Sequence, residues 1–308
     1  MKRRAFVAWA TATVTVGSRP LLAAEGGWSQ RARLPVARSE VAVATNGRNL
    51  YVIGGFAADN DQRIVLAYDA TADRWRTSAS LPAGRNHAAA AAYRGKLYLF
   101  GGFSQGGGAT AETFSYDPRS DRWSAIAPLP SARGAAGAAV LMGRIHVVGG
   151  NAGGSIALHH AYDPETNLWT TLAALPVPRD HVAIVVADDT LYAIGGRVDT
   201  FSHNVDRTDA YDAATNRWTT RAPMPTARSG VAGALYRDRI VVCGGESPRH
   251  AFDTVEAYDF KANSWKTFPS LPAPRHGTGA GVIDDVLYVP AGGPRPGGSQ
   301  SDTLFAYV

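Results

Sequence analysis

A pair of glycines returns through this chain at intervals of 46–49 residues, and other residues keep step with it. The pairs stand at 54–55, 101–102, 149–150, 195–196, 244–245 and 292–293. A tyrosine follows each pair: Tyr68, Tyr116, Tyr162, Tyr211, Tyr258 and Tyr307. Seven residues after each of the first five tyrosines comes a tryptophan: Trp75, Trp123, Trp169, Trp218 and Trp265. Six residues beyond each tryptophan lies Leu-Pro or Met-Pro, and three beyond that proline an arginine. A fixed period of this length marks a repeat architecture, in which each unit buries its apolar face only against its neighbours.

Each unit reads as strand. GKLYLFGG and DTLYAIGG are short β-rich runs that end in glycine. A small-residue apolar run such as HAAAAAYR or GVAGALYR precedes them, and a strand ending in Tyr-Asp, a turn and a strand starting at Trp follow. Asp, Asn and Pro occupy the turns. The spacing predicts four antiparallel strands per unit and an all-β fold.

The Gly pair, the spaced Tyr and Trp and the period resemble the Kelch repeat over residues 28–308. The resemblance implies a six-bladed β-propeller, one four-stranded blade per repeat around a central channel. The last repeat ends at LFAYV without a fourth strand. At the other end, GWSQRARLPVAR places Trp28, Leu34-Pro35 and Arg38 at the repeat spacings. Residues near 28–32 are therefore expected to complete the last blade and close the ring, which removes two free edges.

The first residues differ in kind. Lys2, Arg3 and Arg4 precede an apolar stretch from Ala5 to Val16, and small residues follow at Ala23 and Ala24. This is the layout of an export signal, too short to anchor in a bilayer. The expected division is a leader over 1–24 and a propeller over 25–308, found in the periplasm or outside the cell. Arg3-Arg4 with Phe6 and Val7 resembles the twin-arginine signal, but the Ser or Thr usually found before the arginines is missing, and the ordinary secretory route stays open. Four of the 31 basic residues lie in the leader, which leaves 27 against 26 acidic ones. That balance argues against a nucleic-acid partner. No membrane span is expected in the mature chain, which is expected to be a monomer.

Function is expected where the repeat varies. The interval from Gly-Gly to Tyr changes length, and loops on a rigid scaffold concentrate binding residues. In Kelch propellers these loops surround one channel mouth. They carry Phe56 and Arg63, Phe103, Asn151, Arg197 with Phe201 and His203, then Glu246, Ser247, Pro248, Arg249 and His250, and last Arg295. The arginines at the repeat position are Arg38, Arg85, Arg133, Arg179, Arg228 and Arg275. In acidic-peptide-binding Kelch domains such arginines can line the pocket, while a position filled alike in every blade has the simpler reading of a structural hydrogen bond or ion pair made six times. Glu40, His87, Asp180, His181 and His276 break the symmetry beside them. The expected ligand is an acidic small molecule, a glycan or a protein loop. From Arg275 to the last Gly pair the spacing is one residue longer than elsewhere, read as an interruption at Pro290.

Enzyme chemistry leaves fewer marks. Some related propellers are copper radical oxidases, which need a Cys–Tyr crosslink and two His ligands. The single cysteine, Cys243, replaces an apolar strand residue, and His159 and His160 are adjacent and point to opposite faces. No metal or cofactor is expected. GGESPR resembles the loop of periplasmic sialic-acid mutarotases, in which a Glu just after the glycine-ended strand and a nearby Arg carry the activity. Glu246 and Arg249 are the matching residues, although that family's Arg lies further along the loop and its chains are longer. Among many cations Glu246 is expected to have a lowered pKa, which favours a non-catalytic binding module over an isomerase.

Overall fold

The computed structural model describes residues 26–60 and 62–308; the expected leader lies outside them. Six four-stranded antiparallel sheets run in sequence around one axis. Blade one comprises Ala42–Asn46, Asn49–Ile53, Val65–Asp69 and Arg74–Ser78. Blade six takes Gly281–Ile283, Val286–Pro290 and Leu304–Tyr307 from the end of the chain and Trp28–Arg31 from its beginning. That closing strand pairs Trp28 with Tyr307 and Arg31 with Leu304.

The repeated residues hold one blade to the next. Each tryptophan indole donates to a carbonyl of the preceding blade, from Trp75 to Ala32 at 2.8 Å, Trp123 to Ala79 at 2.9 Å and on round to Trp28 and Pro269 at 2.7 Å. The buried tyrosines pack at a tilt or edge-on against these indoles, with ring centres 4.9–5.2 Å apart. Each of the first five hydroxyls donates to the turn residue five positions on: Asp73, Asp121, Asn167, Asn216 or Asn263. Those residues adopt positive φ, which Asn and Asp tolerate best. Their side chains also accept the backbone N–H of the blade before, as Asp73 does from Ala32. Tyr, turn and Trp thus form one staple, which explains their fixed spacing.

The innermost strands converge on a channel of about 460 Å³, lined by alanine, glycine and valine. Small side chains are required there. A Cβ on Gly137 would lie 2.3 Å from Ile184, and one on Gly281 2.4 Å from Thr45. The Gly pairs answer a second crowding. A Cβ on Gly54, Gly101, Gly149 or Gly244 would come within 2.3–2.5 Å of the next blade's arginine carbonyl.

The reading of Pro290 as an interruption is corrected. Val286–Pro290 is a continuous strand, and Ala291, at φ 56°, takes the place of the first glycine. Gly292 then donates to the Arg38 carbonyl as the second glycine of every other blade does to its own partner. The arginine spacing is unchanged, and Gly293 falls at the position that opens the loop.

Candidate functional site

The six arginines lie inside the blades, each 0–3% exposed. Arg38 Nε donates to the Gly54 carbonyl at 2.8 Å, Arg228 Nε to Gly244 at 2.6 Å and Arg179 Nη2 to Ala193 at 2.9 Å. Arg133 reaches Val147 and His160, Arg275 reaches Ala291 and Thr303, and Arg85 pairs with Glu112. Arg179 and Arg228 also pair with buried Asp209 and Glu256, at 2.7 and 2.5 Å. Five of these guanidiniums cap carbonyls at the crowded glycine turn or two residues before it, and Arg85 caps the Gly84 carbonyl. Of the two placements open for them, the repeated structural bond is the one found, and their assignment as ligand-binding residues is corrected, since a desolvated guanidinium needs the acceptors that the interior supplies.

The residue two places after each arginine does face the channel. Glu40, His87, Ala135, His181, Gly230 and Gly277 all have φ between 52° and 64°. The N–H of His87 donates to the Glu40 carbonyl at 2.9 Å, Ala135 to His87 at 2.8 Å and His181 to Ala135 at 2.9 Å. Gly230, Gly277 and Val41 complete the circle at 3.0, 3.0 and 3.3 Å. Every blade therefore presents one residue at the same height, and three of the six are too small to fill the space. A Cβ on Gly277 would stand 2.3 Å from Glu40 Oε1, so a larger residue there would push that carboxylate out of its place.

Polar side chains meet in that space. Glu40 Oε2 lies 3.0 Å from His87 Nε2, and Glu40 Oε1 lies 3.3 Å from His276 Nδ1. His276 Nδ1 is also 3.4 Å from Glu246 Oε2. Arg197 spans the far side, 3.4 Å from Glu246 Oε1, 3.0 Å from Asp180 Oδ1 and 3.2 Å from His181 Nε2. Asp180 in turn holds His181 Nδ1 at 2.5 Å. Five blades supply this cluster. A cavity of about 90 Å³ beneath it is bounded by Glu40, His87 and His181. Two sets of donor atoms are close enough to share a metal ion, Glu40 with His87 and His181, and Glu40 with Glu246 and His276.

The electrostatics follow from burial and neighbours. Burial works to raise the Glu40 pKa, but His87, His276 and His181 overcome it and hold the carboxyl well below its usual range. Burial works to lower His276, and the Glu40 and Glu246 carboxylates more than reverse it, so the imidazole titrates above its ordinary value. Glu246 corrects the expectation of a lowered pKa: burial pushes it up and Glu40 adds to the rise, outweighing His276, the Gly297 N–H and Arg197. The six repeat arginines, which motivated that expectation, are spent elsewhere.

Glu246 and Arg249 part company. Glu246 is 2% exposed, while Arg249 is exposed on the loop and its side chain makes no bond among the described residues. Above the cluster, the rings of Phe56 and Phe103 flank His87 with centres 5.6 and 5.4 Å away, and Arg197 lies 4.3 Å over the ring of exposed Phe201. Cys243 is buried, with its thiol pushed up to about 12 by desolvation. His159 and His160 are buried within blade three, away from this cluster. The central position of Glu40 was open to sequence reasoning only through its place two residues after Arg38, shared with His87, His181 and two glycines.

The Kelch-repeats domain described as KLHDC2/KLHL20/DRC7 matches residues 26–196 and 173–306. No curated protein matches the chain. A solved structure titled "Structure of YjhT" is similar at 17% identity and a TM-score of 0.76, covering 89% of this chain and 95% of that one. At that identity the likeness concerns the fold.

Proposed function

The chain belongs to the KLHDC2/KLHL20/DRC7 Kelch-repeats domain family, and from that premise we propose that it is an exported binding propeller for a polyhydroxylated, glycan-type ligand. One observation carries this reading: Glu40, Asp180, Glu246, His87, His181, His276 and Arg197 converge below the aromatic edges of Phe56 and Phe103. Carboxylates and imidazoles accept and donate to hydroxyl groups, and aromatic side chains supply the apolar wall of such a pocket. Arg197 already serves three partners, so a strongly acidic ligand would have to compete with Asp180 and Glu246 for it. The charged start, apolar stretch and small residues of 1–24 support export. Calorimetry against a panel of neutral and acidic glycans tests the binding. Phe103→Ala and His87→Ala should each weaken a hit by about tenfold, or roughly 1.4 kcal/mol. A hit unaffected by both would put the ligand elsewhere.

A second reading is favoured by the raised pKa of Glu246. A carboxyl moved toward neutrality suits proton transfer, as ring opening and closing of a sugar requires. In this reading Glu246 exchanges the proton of the anomeric hydroxyl and Arg197 orients the substrate. Proton NMR of anomer exchange in sialic acid distinguishes the two: acceleration by the protein, lost in Glu246→Gln, would replace binding by catalysis.

A further inference from the structure

We propose that Glu40, Glu246 and His276 hold a divalent transition-metal ion of the zinc class at the mouth of the channel. The inference stands on hydrogen-bond accounting and on distances, and it holds whether or not the mouth also takes a glycan.

His276 Nε2 lies 3.0 Å from the carbonyl of Arg295, an atom that can only accept. The Nε2 proton is thereby fixed, and in the neutral imidazole Nδ1 carries a lone pair. That nitrogen is 3.3 Å from Glu40 Oε1 and 3.4 Å from Glu246 Oε2, yet neither carboxylate is aligned with it as a hydrogen-bond partner. The side chain is 1% exposed, so solvent does not supply one. Three electron-pair donors from blades one, five and six therefore face one point in the interior. Such convergence calls for positive charge between the donors, which a proton on Nδ1 supplies in the metal-free chain and which a metal ion would supply on displacing that proton.

The spacing fits a tetrahedral ion. Bonds of 2.0–2.2 Å to nitrogen and oxygen at tetrahedral angles set neighbouring ligand atoms about 3.3–3.6 Å apart. The two His276 distances fall in that interval, and all three donor atoms lie within 4.8 Å of one another. The outer contacts are those a metal ligand needs. A ligating histidine ordinarily gives its other N–H to a carbonyl, as His276 does. Glu246 is held by Arg197 at Oε1 and by the Gly297 N–H at Oε2, 3.4 and 3.1 Å away.

Glu40 also meets His87 through its other oxygen. Asn86 donates its amide to Gln62 Oε1 at 2.9 Å, which turns Asn86 Oδ1 toward His87 Nδ1 at 2.6 Å. His87 Nε2 in turn faces Glu40 Oε2 at 3.0 Å, so this ring fixes the orientation of the second Glu40 oxygen. His181 is different, because Arg197 occupies its Nε2. Three protein ligands are one fewer than a tetrahedral ion takes, the ligand count of an open rather than a closed site.

The test uses the full chain without an affinity tag, stripped with chelator and titrated with zinc chloride by calorimetry, then with cobalt(II) followed by its visible absorption. One equivalent should bind, with the absorption of tetrahedral cobalt. His276→Asn and Glu246→Gln should each lower zinc affinity on the order of a hundredfold, while exposed His203→Ala leaves it unchanged. Glu246→Gln is close to isosteric and serves if His276→Asn does not fold. Failure of the wild type to take up one equivalent, or equal affinity in wild type and Glu246→Gln, overturns the proposal. Loss of glycan binding with zinc uptake intact would count against the binding function alone.

Discussion

Glu40 and His276 stand 3.3 Å apart although 236 residues of chain separate them. They meet because blades one and six become neighbours when the ring closes. The meeting also depends on Gly277, where a Cβ would intrude to 2.3 Å from Glu40 Oε1 at a φ of 61°. Gly277→Ala should therefore cost about 2 kcal/mol, about half of it backbone strain. Gly47→Ala carries similar strain at φ 59° with nothing within 4 Å of its Cβ, and should cost about 1 kcal/mol. Urea midpoints compare the two. Equal losses would mean that Glu40 is not held against that glycine.

Removal of residues 26–33 takes away the outer strand of blade six and the indole that bonds Pro269. Several kcal/mol should go with it, against a total of 5–15 kcal/mol for a typical domain. Thermal unfolding should shift well down and broaden. An unchanged midpoint would show that the ring does not need this strand.

The arginine placements predict a contrast. Arg179→Ala uncovers buried Asp209 and should cost about 3 kcal/mol, softened because Arg207 also holds that carboxylate. Arg249→Ala should change stability by less than about 0.5 kcal/mol. If both mutants unfold alike in denaturant, the interior position of Arg179 is wrong.

Blade three should be the acid-sensitive part. Burial pushes His146 down to about 4, His159 to about 3 and His160 to about 4, with Arg144, His146 and Arg133 respectively adding to the fall. In the unfolded chain each would titrate near 6.5. Stability is therefore full above ~6.5 and drains as pH falls toward 4, by about 2 kcal/mol per histidine at pH 5. Unfolding midpoints at pH 7 and pH 5 measure it. The variant His146→Phe/His159→Leu should flatten the profile, and an equally steep profile there would place the acid sensitivity outside this pair.

Most of the fold could be read from the chain because a staple repeated in every blade writes the same residues at the same spacing. Trp28 in register was enough to place the closing strand. Ala291 was harder, since one alanine at positive φ can stand for a glycine and shift an apparent pair by one residue. The site is legible only in part. Glu246 opens a variable loop and so drew notice, but its environment depends on Glu40 and His276, from blades far away in sequence. The repeat arginines left two placements open, because position alone does not reveal whether a side chain turns toward the channel or into the blade.

Trp28 is among the first described residues to be made, and its strand partner Tyr307 is the last but one of the chain. Until Tyr307 is in place the opening strand has no partner, and any blades already formed make an open arc with two raw flanks. The arc is the species that chaperones would meet and that a second copy could invade, by lending its own first strand to a neighbour's last blade. Pairing of Trp28–Arg31 with Leu304–Tyr307 is thus the step that ends this vulnerability.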